Sequence, residues 1–343
     1  FITGGGGTIG GELARQCAAL GPSELTIFDS SEFNVFEIDQ ELSRAYPNVV
    51  RRMVIGDVRD EVRLEQAMRE AAPDVVIHAA ALKHVPLMEL NPNEAILTNV
   101  LGARRCATIA AALDVKAFTF ISTDKAVNPT NVMGATKRAA ELFIQAFAPT
   151  APQTRFSLVR FGNVLGSKGS VAPLFERQIA EGGPVTVTHP DMTRYFMSVE
   201  EASALVLQAA AMSARSDSTD AALYVLDMGE PVRIAELAEK MIRLKGLTPG
   251  QDILVRVTGP RPGEKLTETV FYDREQVRDT VVDGVLEVAS SGSPPIAEVQ
   301  ARLDAIVSYA ARRDPQASLS MMKALAPEIF TEDPWGEPAM NVH

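Results

Sequence analysis

The stretch Thr3-Gly4-Gly5-Gly6-Gly7-Thr8-Ile9-Gly10 decides the fold. Phe1-Ile2-Thr3, which leads into it, reads as the end of a strand, and the apolar spacing from Thr8 onward is helical, so the glycines fall in a strand-to-helix turn. Gly4, Gly7 and Gly10 keep a three-residue spacing. At such a turn a side chain would block the bend, the approach of a ligand to the backbone, or the packing of helix on strand. The helix that opens there presents free N–H groups and a positive partial charge, a seat suited to a diphosphate.

Outward from this turn, short β-branched runs alternate with longer segments of helical period. The spacing predicts strands at 24–28, 49–55, 74–79, 116–122 and 155–160, and helices at 8–20, 31–46, 60–71, 93–113 and 131–147. Strands separated by crossover helices make a parallel sheet, so the fold class is α/β, a doubly wound NAD-binding Rossmann sheet. Beyond residue 163 glycine and proline punctuate the chain more densely, and a smaller α/β substrate domain follows. Its expected helices lie near 198–212, 232–245 and 295–313, with strands near 185–188, 223–227 and 253–257. The expected division is 1–163 for the dinucleotide domain, with later segments free to return to it, 164–326 for the C-terminal domain, and 327–343 for a tail with little regular structure.

Asp29 ends the second strand nineteen residues after Gly10. An acidic side chain there accepts from the adenosine-ribose hydroxyls and repels a 2′-phosphate, which selects NAD over NADP. Asp57, in Gly56-Asp57-Val58, ends the third strand within reach of the adenine. The expected cofactor is therefore NAD.

Lys+Arg number 33 against 44 Asp+Glu, a net charge of −11. That field repels nucleic acid and anionic lipid, so an anionic substrate needs a local basic cluster. Cys17 and Cys106 fall in apolar helical stretches and read as core residues of a protein in a reducing compartment, with no metal site. No apolar run is long enough to span a membrane. The opening at Phe1 reads as a strand whose beginning lies outside the chain.

Further strings carry a resemblance: His78-Ala79-Ala80-Ala81-Leu82-Lys83-His84-Val85-Pro86, Thr98-Asn99-Val100, Ser122-Thr123-Asp124-Lys125, Gly134-Ala135-Thr136-Lys137, Arg160-Phe161-Gly162-Asn163-Val164 and Arg261-Pro262-Gly263-Glu264-Lys265. With the glycine turn, their order and spacing over nearly the whole chain resemble the extended short-chain dehydrogenase/reductases, and within them the UDP-N-acetylglucosamine 4,6-dehydratases. That family's Tyr-x-x-x-Lys pair lies on one helix face. Here the pair is Met133 and Lys137, and a thioether cannot act as a base. The same replacement marks the long, membrane-associated branch of these dehydratases, so the resemblance implies activity with another group serving in place of tyrosine.

The resemblance implies oxidation at C4 by NAD, loss of water across C5 and C6, and return of hydride to C6. Lys125 is then the base at C5, if burial beside the nicotinamide keeps it partly deprotonated, and Asp124 is the acid at the C6 oxygen, if the closed site raises its pKa. Thr123 hydrogen-bonds the C4 oxygen and Lys137 orders the nicotinamide ribose. The base for the 4-hydroxyl proton is open between Asp124 and a water held by Thr123. A 4-epimerase would not need the Asp-Lys pair; a non-catalytic NAD and UDP-sugar scaffold is the alternative from another class.

Cofactor contacts implied by the resemblance add Thr8, Ile9, Val58, Ala79, Ala80, Ala81, Asn99 and Lys137 to Gly4, Gly7, Gly10, Asp29 and Asp57. Substrate contacts are Lys83, His84, Asn163, Arg194, Arg261 and Glu264, with Lys168 and Lys265 as further phosphate contacts. His78 reads as a core histidine and His189 as structural. Helices 93–113 and 131–147 are apolar on more than one face and call for a second partner; in the family the corresponding helices pair across a two-fold axis, so a homodimer is expected. The expected location is cytoplasmic, with a longer parent anchored in the bacterial inner membrane. The residues do not decide stereochemistry at C5, and the Met-bearing branch leans toward retention.

Overall fold

The computed structural model describes residues 1–330 except 168, 290, 291 and 293. Lys168 and most of the expected tail lie outside the described residues.

Strand and helix alternate along the first half: β1 (Ile2–Thr3), α1 (Thr8–Ala19), β2 (Glu24–Asp29), α2 (Glu32–Ala45), β3 (Val50–Ile55), α3 (Glu61–Ala71), β4 (Val75–His78), α4 (Val85–Leu90), α5 (Pro92–Ala95), α6 (Gly102–Ala112), β5 (Ala117–Ile121), α7 (Val132–Phe147) and β6 (Arg155–Arg160). Local chemistry starts these helices where the sequence places them. Ser31, Asp60 and Asn131 each cap a helix by accepting a backbone N–H from Asn34, Arg63 and Gly134. Ile96–Leu101, between α5 and α6, is π-helical, so the expected helix 93–113 carries a bulge.

The second half contributes β7 (Asn163–Val164), α8 (Val171–Ala180), β8 (Val185–Val187), β9 (Thr193–Arg194), β10 (Phe196–Met197), α9 (Val199–Ala214), β11 (Ala222–Leu226), β12 (Val232–Arg233), α10 (Ile234–Leu244), β13 (Val255–Val257), β14 (Val277–Asp279), β15 (Val285–Val288), α11 (Ile296–Ala311) and α12 (Pro315–Leu325). The main sheet runs β14-β15-β11-β6-β5-β4-β1-β2-β3. Its strands are parallel except at the β14 and β15 edge. Strand order reverses between β1 and β4, which opens a crevice at their carboxyl ends.

The chain leaves this sheet and comes back to it, so a boundary near 163 is not a single cut. α9 packs with α1 on one face, and α11 with α7 on the other. The separate small core, Phe175, Ile179, Val185, Val187, Met192, Ile234, Ala238, Ile242 and Ile253, belongs to α8, β8, α10 and the loops beside them.

The second apolar faces of helices 93–113 and 131–147 meet other parts of the same chain. Val299, Leu303, Ile306 and Ala310 of α11 and Met322 of α12 share one buried cluster with Val100, Ala139, Ala140, Phe143 and Ile144. Arg104 pairs with Asp304, and Arg138 with Glu328. These contacts cover part of that apolar surface from within the chain. Among the described residues no helix is long and apolar enough to cross a membrane.

Candidate active site

The glycine turn is built as a cradle. Gly4 takes φ +65°, and a Cβ on Gly10 would lie 2.1 Å from the Gly4 carbonyl oxygen. Only a bare backbone makes this turn. No side chain caps α1 at Gly7. Asp29 Oδ2 accepts from Gly6 N at 3.0 Å and Oδ1 from Ser31 N at 2.9 Å, which ties the second strand to the turn. Ala79 and Ala80 lie against Gly4, and Ala81 extends the same strand end.

Two expected cofactor contacts have other work. Asp57 accepts from Arg59 through side chain and backbone; although burial opposes it, Arg59 holds the carboxyl below its usual range. Asn99 accepts from Leu82 N and donates to Leu82 O and Thr136 Oγ1. Its carboxamide braces the strand end against α7. Val58 packs where a Cβ on Gly102 would fall, and Ile9 packs on the core beside α1.

At the carboxyl end of β5 the chain turns through Thr123, Asp124 and Lys125. Thr123 Oγ1 accepts from Lys125 N at 3.4 Å and donates to Asp124 Oδ1 at 2.8 Å. Lys125 Nζ donates to Asp124 Oδ1 at 2.9 Å and to Asn163 Oδ1 at 3.2 Å. Asp124 is fully buried, and its Oδ2 has no hydrogen-bond partner among the described residues. Burial pushes the pKa of Lys125 down, but Asp124 and Glu268 outweigh burial and raise it above the ordinary value.

Lys137 behaves in the opposite way. Its Nζ sits 4.1 Å from the Phe120 ring centroid, and burial, opposed by Glu141, pushes its pKa to about 7. One turn earlier Met133 is buried with Met88, Ala95 and Val132, beside Leu82, Val85, Leu319 and Phe330. The position of the missing tyrosine is an apolar nest. His78 is a core residue as expected: its Nδ1 lies 2.7 Å from Thr3 Oγ1, and its ring stacks against Phe118 and Phe120.

Between the main sheet and the small unit lies a cleft of about 280 Å³. Lys83, His84, Lys125, Asn163, Arg194, Arg261 and Glu264 all line it, so the substrate residues expected from sequence converge. Their states differ. Burial lowers the pKa of Lys83, and burial and then Lys83 lower that of His84. Arg194 donates to the carbonyls of Thr193, Leu266 and Lys265, so it braces the 265–266 segment while edging the cleft. Glu264 Oε2 accepts from Arg261 N, folding the loop on itself. Lys265, expected on phosphate, is buried and donates to Val127 O at 2.7 Å.

Sequence reasoning missed two features. Glu268 is 3 % exposed in the cleft wall, with Oε1 3.9 Å from Lys125 Nζ; its signal was a carboxylate three residues beyond Lys265. The other is a buried charge network under the Thr123–Lys125 turn. Glu141 accepts from Ser122 Oγ, Arg160 and Arg138, while Arg160 also donates to Glu275. Tyr272 adds a hydrogen bond to Ala126 O.

A family described as polysaccharide biosynthesis protein matches residues 1–290. The chain is 50% identical over 276 residues to the capsular polysaccharide biosynthesis protein CapD of Staphylococcus aureus, covering 80% of this chain and 45% of that protein. It thus spans about half the length of that relative. It is 42% identical over 211 residues to a UDP-N-acetylglucosamine 4,6-dehydratase (inverting) of Campylobacter jejuni, covering 60% of this chain and 61% of the relative. Among solved structures, Pen from Bacillus thuringiensis superposes with a TM-score of 0.74 at 34% identity, covering 84% of this chain and 86% of that one.

Proposed function

The chain belongs to the polysaccharide biosynthesis protein family within the extended short-chain dehydrogenase/reductases, and on that premise we propose that it is an NAD-dependent UDP-N-acetylglucosamine 4,6-dehydratase. The observation that carries this reading is the pair of fully buried Asp124 and half-buried Lys125 just after β5, one hydrogen bond apart. A plain 4-epimerase has no use for an acid and a base across C5–C6.

The cradle at Gly4, Gly7 and Gly10, the N-terminus of α1 that follows it and Asp29 fit NAD. When bound, NAD supplies the acceptor for hydride from C4 and its return to C6. Thr123 is positioned by its bond to Asp124 to hold the C4 oxygen. Elimination removes a proton from C5 and delivers one to the departing C6 oxygen. Asp124 and Lys125 share a proton across 2.9 Å; with that proton on Asp124 the pair is at once acid and base. Elimination leaves the C5 proton on Lys125, which returns it to C5 as C6 is reduced, and the proton released from the 4-hydroxyl on oxidation at C4 replaces the one that Asp124 gave to the departing water. Lys83, Arg194 and Arg261 supply the positive charge that a diphosphate requires against a net charge of −11.

Incubation with UDP-N-acetylglucosamine in deuterated water tests the proposal. Expected is a 4-keto-6-deoxy product with deuterium at C5, and with product NMR reporting retention or inversion there. Asp124→Asn and Lys125→Ala should lose at least about 10²-fold in turnover while still binding UDP. The apolar nest around Met133 favours one second reading, an NAD and UDP-sugar binder without turnover. Unchanged substrate with both ligands bound would select that reading.

A further inference from the structure

We propose that Glu268 is a positioning residue that acts through Lys125, its carboxylate setting the pH range over which the Asp124–Lys125 pair retains its shared proton. The inference rests on the dehydratase reading for its catalytic meaning, but not for its charge geometry. Glu268 is buried, and its Oε2 has no hydrogen-bond partner among the described residues. Its contacts to cations are 3.9 Å to Lys125 Nζ and 3.7 Å to Lys265 Nζ, both beyond hydrogen-bonding distance. A carboxylate kept for structure alone would be expected to hold hydrogen-bonded partners, because burying it unbonded is costly. What Glu268 offers its surroundings is negative charge.

The charges around Lys125 come from several elements. Asp124 lies beside it on the same turn, Glu268 faces it from the segment after β13, Arg194 opposes it from β9, and Asn163 presents a neutral oxygen from β7. Lys83 and His84 line the same cleft from the end of β4. Lys265 is tied to the Val127 carbonyl and faces Glu268 from the other side. Removing Glu268's charge leaves Lys125 with one carboxylate against Arg194. The pair then loses its shared proton at lower pH. The acid limb moves the same way, because a second proton also binds less tightly once the negative charge is gone.

The test uses the protein with its NAD bound, labelled with 13Cε-lysine, in the wild type and in Glu268→Gln and Glu268→Asp. The Lys125 signal is identified by its loss in Lys125→Arg. Glu268→Gln, which keeps the shape, should lower the Lys125 midpoint by about one pH unit or more, and Glu268→Asp should lower it less. In turnover, Glu268→Gln should move both limbs of the pH–rate profile downward by a similar amount and leave UDP binding unchanged. A Lys125 midpoint in Glu268→Gln within about 0.3 units of wild type overturns the inference, whatever happens to turnover. A wild type that turns over no nucleotide sugar overturns the proposed function instead, and the lysine titration still judges Glu268.

Discussion

Glu141 is fully buried beneath the Thr123–Lys125 turn, and converting it to glutamine tests whether the charge network there holds the structure together. Its carboxylate takes two hydrogen bonds from the Arg160 guanidinium, at 2.7 Å each, one from Ser122 Oγ at 2.7 Å and one from Arg138 at 3.2 Å. Arg160 is itself fully buried and has one further carboxylate, Glu275, at 2.9 and 3.0 Å. Glu141→Gln keeps the shape but removes the charge and turns an amide N–H₂ toward guanidinium donors. Breaking a buried pair costs about 3–5 kcal/mol. Because Glu275 still compensates Arg160, the expected loss is near the lower end, about 3 kcal/mol. In urea, with a slope of about 3 kcal/mol/M, the midpoint should fall by about 1 M. The pH dependence gives an independent check. Burial raises the pKa of Glu141, but Arg160 and Arg138 outweigh it, so the folded value lies below the ordinary one. Its stabilisation is therefore complete above the unfolded carboxyl value of about 4.3 and is lost as pH falls through the lower folded value. The variant should lack that part of the acid dependence. A loss below about 1 kcal/mol, the range of exposed ion pairs, would refute the assignment of this network as a support for residues 122–126.

Two other outcomes are expected. Without ligand, Lys137 should titrate near pH 7 by 13Cε NMR; its lowered folded pKa means that its contribution to stability is greatest above the unfolded lysine value near 10.4 and falls as pH drops through about 7. An ordinary lysine midpoint would refute the burial argument. Leu303→Ala, at the fully buried centre of α11, should cost about 2–5 kcal/mol, and a chain ending before α11 should self-associate in sedimentation because it bares the faces of residues 96–101 and of α7. A stable monomer from the shortened chain would show that those faces do not need the hairpin.

The Thr123–Lys125 turn and the first sheet were legible because they depend on local rules. Period, caps and glycine spacing placed β2 to β6 and their helices within a residue or two, and the Asp124–Lys125 pair stood adjacent in sequence. The second half was less legible. α12 follows a proline at Pro315 with an Asp314 cap, yet its apolar pattern is short. The edge strand β14 has three residues. The second carboxylate near Lys125, Glu268, was not legible because it lies far away along the chain.

From the sequence alone came the α/β class, the glycine cradle with Asp29 behind it, and the residues that meet in the cleft, since each follows from spacing over a few turns of chain or from a resemblance carried by short strings. Tertiary structure alone decided what covers the two-sided helices and what charge surrounds Lys125. An apolar helix face records only that it must be buried, and here α11 and α12 bury it from within the same chain. Likewise a lysine's proton depends on every charge within a few ångströms, and Glu268 and Arg194 arrive there from separate loops and strands that only folding brings together.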